Sequence, residues 1–267
     1  MTQYTDHYGP EGLRTRGTVV VVPGRGESRA AYARFGRRLA ADAYRVRVVD
    51  APRIDAGDLS GSLARFGAGL AAAVEDAAAE DGVVRPVVLV GADSGAAAVA
   101  ALLGREEPSV PFPEAVVLAG LPGRGAGDGA PVRNGVAGGA GGPSWDDELD
   151  VRTFCPAHRE VLTDDSGTQR GSLGIAVPDA LLDAAHHGAI AAPTLILVGD
   201  ADPLADRDAL ARTAKSLSHS RLAVVRDAHH DVLNDLQHRS VAAEVVTFLE
   251  TVRDALVPVV AVESSTW

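Results

Sequence analysis

The sequence predicts an α/β fold: a mostly parallel sheet of about six to seven strands with helices on both faces. Two observations predict it. Short apolar runs rich in β-branched residues alternate along the chain with longer stretches rich in alanine and leucine. The short runs are continuous and do not alternate between apolar and polar residues, which is typical of strands that are buried on both faces.

Six apolar runs are the candidate strands. They cover residues 18–22, 45–49, 86–90, 115–119, 194–198 and 222–225. Four stretches outside these runs carry apolar residues at steps of three or four, which is the spacing of one helical face. These stripes cover residues 32–39, 59–77, 210–217 and 241–256. Strands and helices therefore follow one another along most of the chain.

One segment breaks this rhythm between the fourth and fifth candidate strands. Residues 122–142 are dominated by glycine, alanine and proline without a period, and residues 144–185 then have charged helical character. A connection of this length inside a compact domain is usually a lid or a binding element. We therefore predict a single domain over residues 1–267 with a lid or cap insertion at residues 122–190.

Composition and charge exclude several classes of protein. The 267 residues are 46% hydrophobic and 23% charged, as in globular domains. Twenty-five basic residues against 36 acidic residues give a net charge of −11, which opposes binding to nucleic acid. Cys155 is the single cysteine, so an intrachain disulfide is excluded. With no leader sequence and no apolar run of the ~20 residues that cross a membrane, we expect a soluble cytoplasmic protein. A homodimer is compatible with the sequence.

A serine follows the third candidate strand, where the chain reads Gly-Ala-Asp-Ser94-Gly-Ala. Ligands bind at the carboxyl ends of parallel strands, so polar residues there are candidates for chemistry. A nucleophilic serine on a tight strand-to-helix turn requires small residues two positions on either side. Ala92 and Ala96 occupy those positions around Ser94. The alternative is that Ser94 only caps the helix that follows.

Acidic residues and histidines follow the last two candidate strands. Asp200 and Asp202 come after residues 194–198, and His229 and His230 come after residues 222–225. The chain order Ser, Asp, His is that of hydrolases with a nucleophile elbow and differs from the other two serine-protease orders. The alternative is that the aspartates cap a helix and the histidines lie on the surface. The order indicates a catalytic triad.

These strings resemble the α/β-hydrolase superfamily, in its lysophospholipase and monoacylglycerol-lipase-like branch, over nearly the whole chain. Ala-Asp-Ser94-Gly-Ala resembles the nucleophile elbow, and Val-Gly-Asp-Ala-Asp202-Pro-Leu resembles the acid loop. Ala-His-His230-Asp-Val-Leu-Asn resembles the histidine loop. The resemblance implies Ser94 as nucleophile, His230 as base and Asp202 as the acid that orients the base. Asp200 and His229 remain the alternatives to Asp202 and His230.

The resemblance implies further site residues. The first candidate strand ends in Pro-Gly24-Arg25-Gly, where the family usually has His-Gly. By analogy, the backbone amides of Arg25 and Gly95 form the oxyanion hole. Gly24 and, in the inserted segment, His158 and Arg159 are candidate substrate contacts. We expect no metal and no organic cofactor, because one cysteine and one histidine in that segment do not make a zinc site.

The activity implied by the resemblance is that of a serine hydrolase. It would cleave a carboxylic ester or thioester of a small or lipid-like molecule through an acyl-enzyme. A lyase and a non-hydrolytic ligand-binding protein are alternatives on the same fold. A weaker alternative is a dinucleotide-binding oxidoreductase, in which Gly24-x-Gly26 contacts the pyrophosphate and Asp50 the ribose. Arg29 stands where that fingerprint requires its third small residue.

Overall fold

A seven-stranded sheet lies at the centre of the structure, a computed structural model that describes residues 4–78, 82–105, 113–124, 144–261 and 263–264. The strands are β1 (Tyr4–His7), β2 (Gly17–Val22), β3 (Tyr44–Val49), β4 (Val87–Ala92), β5 (Ala115–Ala119), β6 (Thr194–Gly199) and β7 (Ser220–Val225). Their order in the sheet is β1-β3-β2-β4-β5-β6-β7. β2 to β7 run parallel, and β1 pairs antiparallel with β3. The predicted fold class is confirmed.

The edge strand β1 is the element that the sequence analysis did not predict. Its four residues, Tyr-Thr-Asp-His, carry no apolar run, and their side chains are partly or largely exposed. The strand is held by a contact between strands: Nη2 of Arg47 on β3 lies 2.6 Å from Oδ2 of Asp6. Because β1 is held by residues about 40 positions further along the chain, its own sequence carries little indication of a strand.

Helices cover both faces of the sheet. They are α1 (Ala33–Ala41), α2 (Leu59–Glu75), α3 (Asp93–Leu103), α4 (Trp145–Arg152), α5 (Pro156–Asp164), α6 (Asp179–His187), α7 (Arg207–Ser216) and α8 (His238–Arg253). Two 3-10 turns lie at Arg29–Tyr32 and Ser172–Gly174. Among the described residues, none of these helices is both long enough and apolar enough to cross a membrane.

Two apolar cores lie on opposite faces of the sheet. Val20 and Val22 of β2 face one core with α2, α3, α6 and α7, whereas Val19 and Val21 face the other with α1 and α8. Each buried valine or leucine contributes roughly 1.5–3 kcal/mol relative to an exposed one. Burial on both faces explains why these strands are continuous apolar runs.

The connection from β5 to β6 contains four helical segments after residue 143. Residues 125–143, which include most of the predicted glycine-rich loop, lie outside the described residues. Ser144 starts α4 with a capping box, in which its hydroxyl accepts from the Asp147 amide and the Asp147 carboxylate accepts from the Ser144 amide. α6 packs against α3 and so joins the helical layer on that face of the sheet.

Candidate active site

The turn between β4 and α3 has Asp93 at its apex. Asp93 has a φ of 47°, in the left-handed region that residues with a β-carbon rarely adopt. Glycines flank it two positions on either side. A Cβ on Gly91 would lie 2.6 Å from the Cα of Ala96, and one on Gly95 would lie 2.4 Å from the carbonyl oxygen of Pro23. The turn therefore has the pattern Gly-x-Asp-x-Gly, with the strained central residue of a nucleophile elbow.

His230 lies between two carboxylates. Its Nε2 is 3.1 Å from Oδ1 of Asp93, and its Nδ1 is 2.9 Å from Oδ2 of Asp202. The amide of Leu204 donates to the other oxygen of Asp202 at 2.9 Å and so orients that carboxylate. All three side chains of this row are buried. Residues beyond the ends of β4, β6 and β7 thus meet at one edge of the sheet.

The structure places His230 against Asp93, at the apex of the turn one residue before Ser94, so the role of Ser94 as nucleophile stays a prediction. Ser94 is the next residue of α3 and is half-buried. The sequence analysis took Ala92 and Ala96 as the small residues around a serine, but the glycines at 91 and 95 surround Asp93. Gly95 was assigned to the oxyanion hole as the residue directly after the nucleophile, and that assignment loses its basis with this shift.

Asp200 and His229, the alternatives to Asp202 and His230, contact other residues. Asp200 is exposed and accepts a hydrogen bond from the amide of Asp227 at 2.7 Å. His229 places its Nδ1 3.0 Å from Oδ2 of Asp235, and its ring stacks on Phe154 with centroids 3.9 Å apart. Asp202 and His230 are the residues that meet.

Arg25 covers the carboxylate of Asp93 with both its backbone and its side chain. Its amide donates to Oδ2 of Asp93 at 2.7 Å. In addition, its Nε lies 2.9 Å from Oδ2 and its Nη2 lies 2.8 Å from Oδ1. Its Nη1 donates to the carbonyls of Leu173 at 3.0 Å and Ile175 at 2.7 Å. The sequence analysis predicted that this amide faces an oxyanion, and it did not predict the buried ion pair between Arg25 and Asp93.

Gly24 is packed between two carboxylates. A Cβ at this position would lie 2.7 Å from the Cβ of Asp93 and 2.9 Å from Oε2 of Glu27, so only glycine allows this approach. A pyrophosphate at this turn would meet like charges, and Arg29 pairs with Asp50 at 3.3 Å. The site therefore gives no support to the dinucleotide interpretation.

The charges of Asp93 and His230 depend on each other. Burial disfavours the ionised carboxylate, but the charge of Arg25 and the hydrogen bonds from His230 and Arg25 hold the pKa of Asp93 well below its usual range. Burial also disfavours the imidazolium, but Asp202 and Asp93 raise the pKa of His230 to about 10. At neutral pH the pair is therefore a carboxylate and an imidazolium.

A second buried polar cluster lies beside the site. Glu27 accepts hydrogen bonds from the Gly24 amide and from the Tyr32 hydroxyl. His158, a predicted substrate contact, instead places its Nε2 3.1 Å from Oδ2 of Asp231. Arg159, the other predicted contact in this segment, pairs with Asp150 at 2.7 Å. Neither residue is hydrogen-bonded to Asp93 or His230 in the described part of the chain.

Three members of this cluster could geometrically hold a metal ion, since donor atoms of Glu27, His158 and Asp231 lie within 4.8 Å of one another. Positive charge is already supplied by Arg152, whose Nη1 is 3.5 Å from Oδ1 of Asp231. Burial opposes ionisation of Asp231, but the charge of Arg152 lowers the pKa of Asp231. Burial and the charge of Asp231 raise the pKa of Glu27. The guanidinium of Arg152 thus already supplies positive charge to the carboxylates of this cluster.

The sheet order and the elbow agree with a comparison of the sequence with family models. Residues 19–245 match the model described as the alpha/beta hydrolase family. The chain belongs to the alpha/beta hydrolase family. The superfamily inferred from the three strings is therefore confirmed. A search of curated proteins gave no match.

Solved structures share this fold over almost the whole chain. The monoacylglycerol lipase of Paleococcus ferrophilus is 18% identical with a TM-score of 0.64, covering 93% of this chain and 99% of that one. The putative non-heme bromoperoxidase BpoC of Mycobacterium tuberculosis is 20% identical with a TM-score of 0.64, covering 94% and 96%. The enol-lactonase of Burkholderia xenovorans is 16% identical with a TM-score of 0.59, covering 93% and 96%.

Identities this low establish the fold alone. These proteins are named for different activities on one scaffold, which is expected because function resides in the site and not in the fold. The activity of this chain therefore depends on Asp93, His230, Asp202 and Arg25.

Proposed function

We propose that this protein is a hydrolase in which the carboxylate of Asp93 is a covalent nucleophile, His230 is the base and Asp202 orients the base. One observation carries the proposal. His230 Nε2 contacts one oxygen of Asp93 at 3.1 Å, while the Arg25 amide holds the other at 2.7 Å. A nucleophile, a base and an oxyanion donor thus converge on the apex of the elbow.

In the first step, an oxygen of Asp93 attacks a saturated carbon that bears a leaving group. The carbon–oxygen bond of an enzyme ester forms, and the leaving group departs with the electron pair of its bond. The low pKa of Asp93 keeps this nucleophile ionised. A carboxylate that attacked an ester carbonyl would form an anhydride, which is less stable than the ester. Saturated carbon is therefore the better match.

In the second step, water hydrolyses the enzyme ester. Esterification removes the charge of Asp93, which is one of the two carboxylates that raise the pKa of His230. The pKa of His230 then falls, the imidazolium releases its proton to solvent, and the free Nε2 can accept a proton from water. The water oxygen attacks Cγ of Asp93, and the Arg25 amide donates to the oxyanion. On collapse His230 gives this proton to the departing alkoxide, which leaves as the alcohol product. The new carboxyl group then returns a proton to His230, which restores the carboxylate with one oxygen derived from water.

Hydrolysis of a carboxylic ester or thioester through Ser94 is the second candidate, and it is favoured by the resemblance of the elbow string and by the monoacylglycerol lipase among the structural neighbours. His230 weighs against it. Its Nε2 is bonded to Asp93, and an imidazolium with a pKa of about 10 cannot accept a serine proton at neutral pH. Both candidates act on a small molecule and use no cofactor.

The segment with Leu173 and Ile175 takes the role of the predicted lid in this proposal. Its two carbonyls hold Arg25 over Asp93, and the side chains of Arg25 and Asp93 are only 9% and 3% exposed. Substrate must therefore displace part of this cover to reach the carboxylate.

Trapping the enzyme ester tests the proposal. His230→Gln removes the base of the second step and leaves the first intact, so bromoacetate or bromoacetamide should leave a stable adduct on Asp93. Peptide mass spectrometry locates the adduct, and His229→Gln is the matched control that should hydrolyse it. In water labelled with heavy oxygen, the carboxylate of the native protein should gain label during turnover. An acetyl group on Ser94 after treatment with p-nitrophenyl acetate would overturn the proposal in favour of the serine mechanism.

A further inference from the structure

Arg25 makes a buried ion pair that the oxyanion role of its amide does not require. We propose that the guanidinium of Arg25 is the binding site for a carboxylate of the substrate, which takes the place that Asp93 occupies in the resting enzyme. This inference rests on the proposed function, because release from Arg25 is what frees Asp93 to attack.

Because the ion pair between Arg25 and Asp93 is buried, the site favours a negatively charged substrate over a neutral one. The side chains of Arg25 and Asp93 make three contacts of 2.8 to 3.2 Å, and both side chains are buried. A neutral substrate would separate the two charges without giving Arg25 a new partner, and an unpaired buried charge is strongly unfavourable. An anionic substrate exchanges one carboxylate for another. The exchange leaves Arg25 paired throughout.

The position of Arg25 is fixed by contacts that do not involve Asp93. Its Nη1 donates to the carbonyls of Leu173 and Ile175, and its own carbonyl accepts from Nη2 of Arg152 at 2.7 Å. The planar guanidinium therefore stays in place when a ligand arrives, and its fork matches a carboxylate in two parallel hydrogen bonds.

Charge balance during the reaction favours the same class of substrate. In the resting site, Asp93 and Asp202 are balanced by Arg25 and the protonated His230. Esterification of Asp93 removes one negative charge, and a substrate carboxylate on Arg25 restores it. In the resting site the Arg25 guanidinium contacts the Asp93 carboxylate, which is the group that attacks the substrate. A substrate carboxylate bound to Arg25 therefore lies close to Asp93. The carbon that Asp93 attacks must then be the one next to that substrate carboxylate.

The substrate class is thus a carboxylic acid with a leaving group on the carbon beside the carboxylate. Asp93 forms a bond to that carbon, and the leaving group departs as an anion. Hydrolysis of the enzyme ester then gives the 2-hydroxy acid and regenerates Asp93. One water is consumed, and one proton and the leaving-group anion are released.

Binding of acetate tests the anion site without any chemistry. Asp93→Asn removes the internal competitor for Arg25, so titration calorimetry should show acetate binding at least about tenfold more tightly to this variant than to the native protein. Acetamide, which has the same shape without the charge, should show no such gain. Adding Arg25→Gln to the Asp93→Asn variant should abolish acetate binding, whereas adding Arg29→Gln should not. Equal acetate affinity in the native protein and Asp93→Asn would overturn the inference, as would binding that survives Arg25→Gln.

Alkylation rates separate this inference from the proposed function. The native protein should be alkylated on Asp93 at least about tenfold faster by bromoacetate than by bromoacetamide, and Arg25→Gln should lose that preference while Arg25→Lys keeps part of it. Equal rates with both probes would overturn the anion site and leave Asp93 as the nucleophile. No adduct on Asp93 from either probe, together with the predicted acetate binding, would overturn the nucleophile and leave the anion site. If Arg25→Gln does not fold, the acetate affinities of the native protein and of Asp93→Asn are enough to test the anion site.

Discussion

His230 and Asp93 form an ion pair in the resting site, with Nε2 of the imidazole 3.1 Å from Oδ1 of the carboxylate. The nucleophile is therefore charged, while the base already carries its proton. Only loss of the charge on Asp93, by formation of the enzyme ester, returns His230 to the form that accepts a proton. The order of the two proposed steps follows from this one contact.

Asp93→Asn should abolish turnover of bromoacetate, because a neutral amide is a poor nucleophile. We expect a loss of at least about a thousandfold in kcat/KM, as for removal of a covalent nucleophile. Ser94→Ala is the matched control one residue along the same helix, and it should retain activity within about fivefold, since Ser94 is not hydrogen-bonded to His230 in the described structure. Steady-state kinetics measure both variants. The reverse pattern, with Ser94→Ala inactive and Asp93→Asn active, would restore the serine mechanism.

The fold could be predicted because a strand that is buried on both faces has a continuous run of apolar residues in its sequence. Val19 to Val22 read as an unbroken apolar run, since alternate side chains enter the two cores. β1 could not be predicted in this way. Its polar residues are held by pairing with β3 and by the contact between Asp6 and Arg47, which the chain brings together only on folding.

The site could be predicted only in part, for a similar reason. Asp202 and His230 follow directly after apolar runs that predict strands, so the sequence itself indicates that both lie at strand ends. The apex of the elbow required choosing between adjacent residues, and the glycines at 91 and 95 were the signal that favours Asp93. The ion pair between Arg25 and Asp93 joins residues far apart in the chain, and no local pattern encodes it.

Asp202→Asn should slow the second step far more than the first. An asparagine at this position cannot stabilise the imidazolium that forms when His230 takes a proton from water. We expect turnover to fall by about a hundredfold to ten-thousandfold and the adduct on Asp93 to accumulate. Asp200→Asn is the control, because Asp200 is exposed and contacts the Asp227 amide instead. Rapid-quench mass spectrometry measures the adduct. Equal slowing of adduct formation and hydrolysis would contradict the role assigned to Asp202.

The stability of the protein should decrease as the pH rises from about 6.5 towards 10. The pKa of His230 is about 10 in the folded protein and 6.5 in the unfolded chain, so the folded state holds more protons in this window. The stabilisation by His230 is complete below pH 6.5 and is lost as the pH rises through 10, by an amount on the order of a few kcal/mol. Urea unfolding at several pH values measures the free energy of unfolding. His230→Gln should flatten this part of the profile, and an unchanged slope in that variant would contradict the ion pair.

Gly24→Ala should destabilise the turn after β2. Its new Cβ would lie 2.7 Å from the Cβ of Asp93, and this contact is between atoms that the turn and the elbow hold in place. We expect a loss of about 1–3 kcal/mol in the free energy of unfolding, together with reduced alkylation of Asp93 as the Arg25 amide moves. Gly57→Ala is the control, because its Cβ would approach only Oδ1 of Asp55, at 3.4 Å. Equal stability of the two variants would show that the turn after β2 can move to accommodate the new Cβ without a loss in the free energy of unfolding.

Arg152 should be the most costly arginine to replace in the connection between β5 and β6. It is fully buried, bonded to Glu148 at 2.9 Å and to the carbonyl of Arg25 at 2.7 Å, and it lies beside Asp231. Arg152→Gln leaves buried carboxylates without their cation, so the free energy of unfolding should fall by about 3–5 kcal/mol. Arg159→Gln breaks a partly exposed pair with Asp150 and a 3.3 Å hydrogen bond to the Thr153 carbonyl, and should cost less than about 1 kcal/mol. Urea unfolding of both variants measures the difference. A loss in Arg152→Gln as small as that in Arg159→Gln would contradict the role of Arg152 in holding this connection against the site.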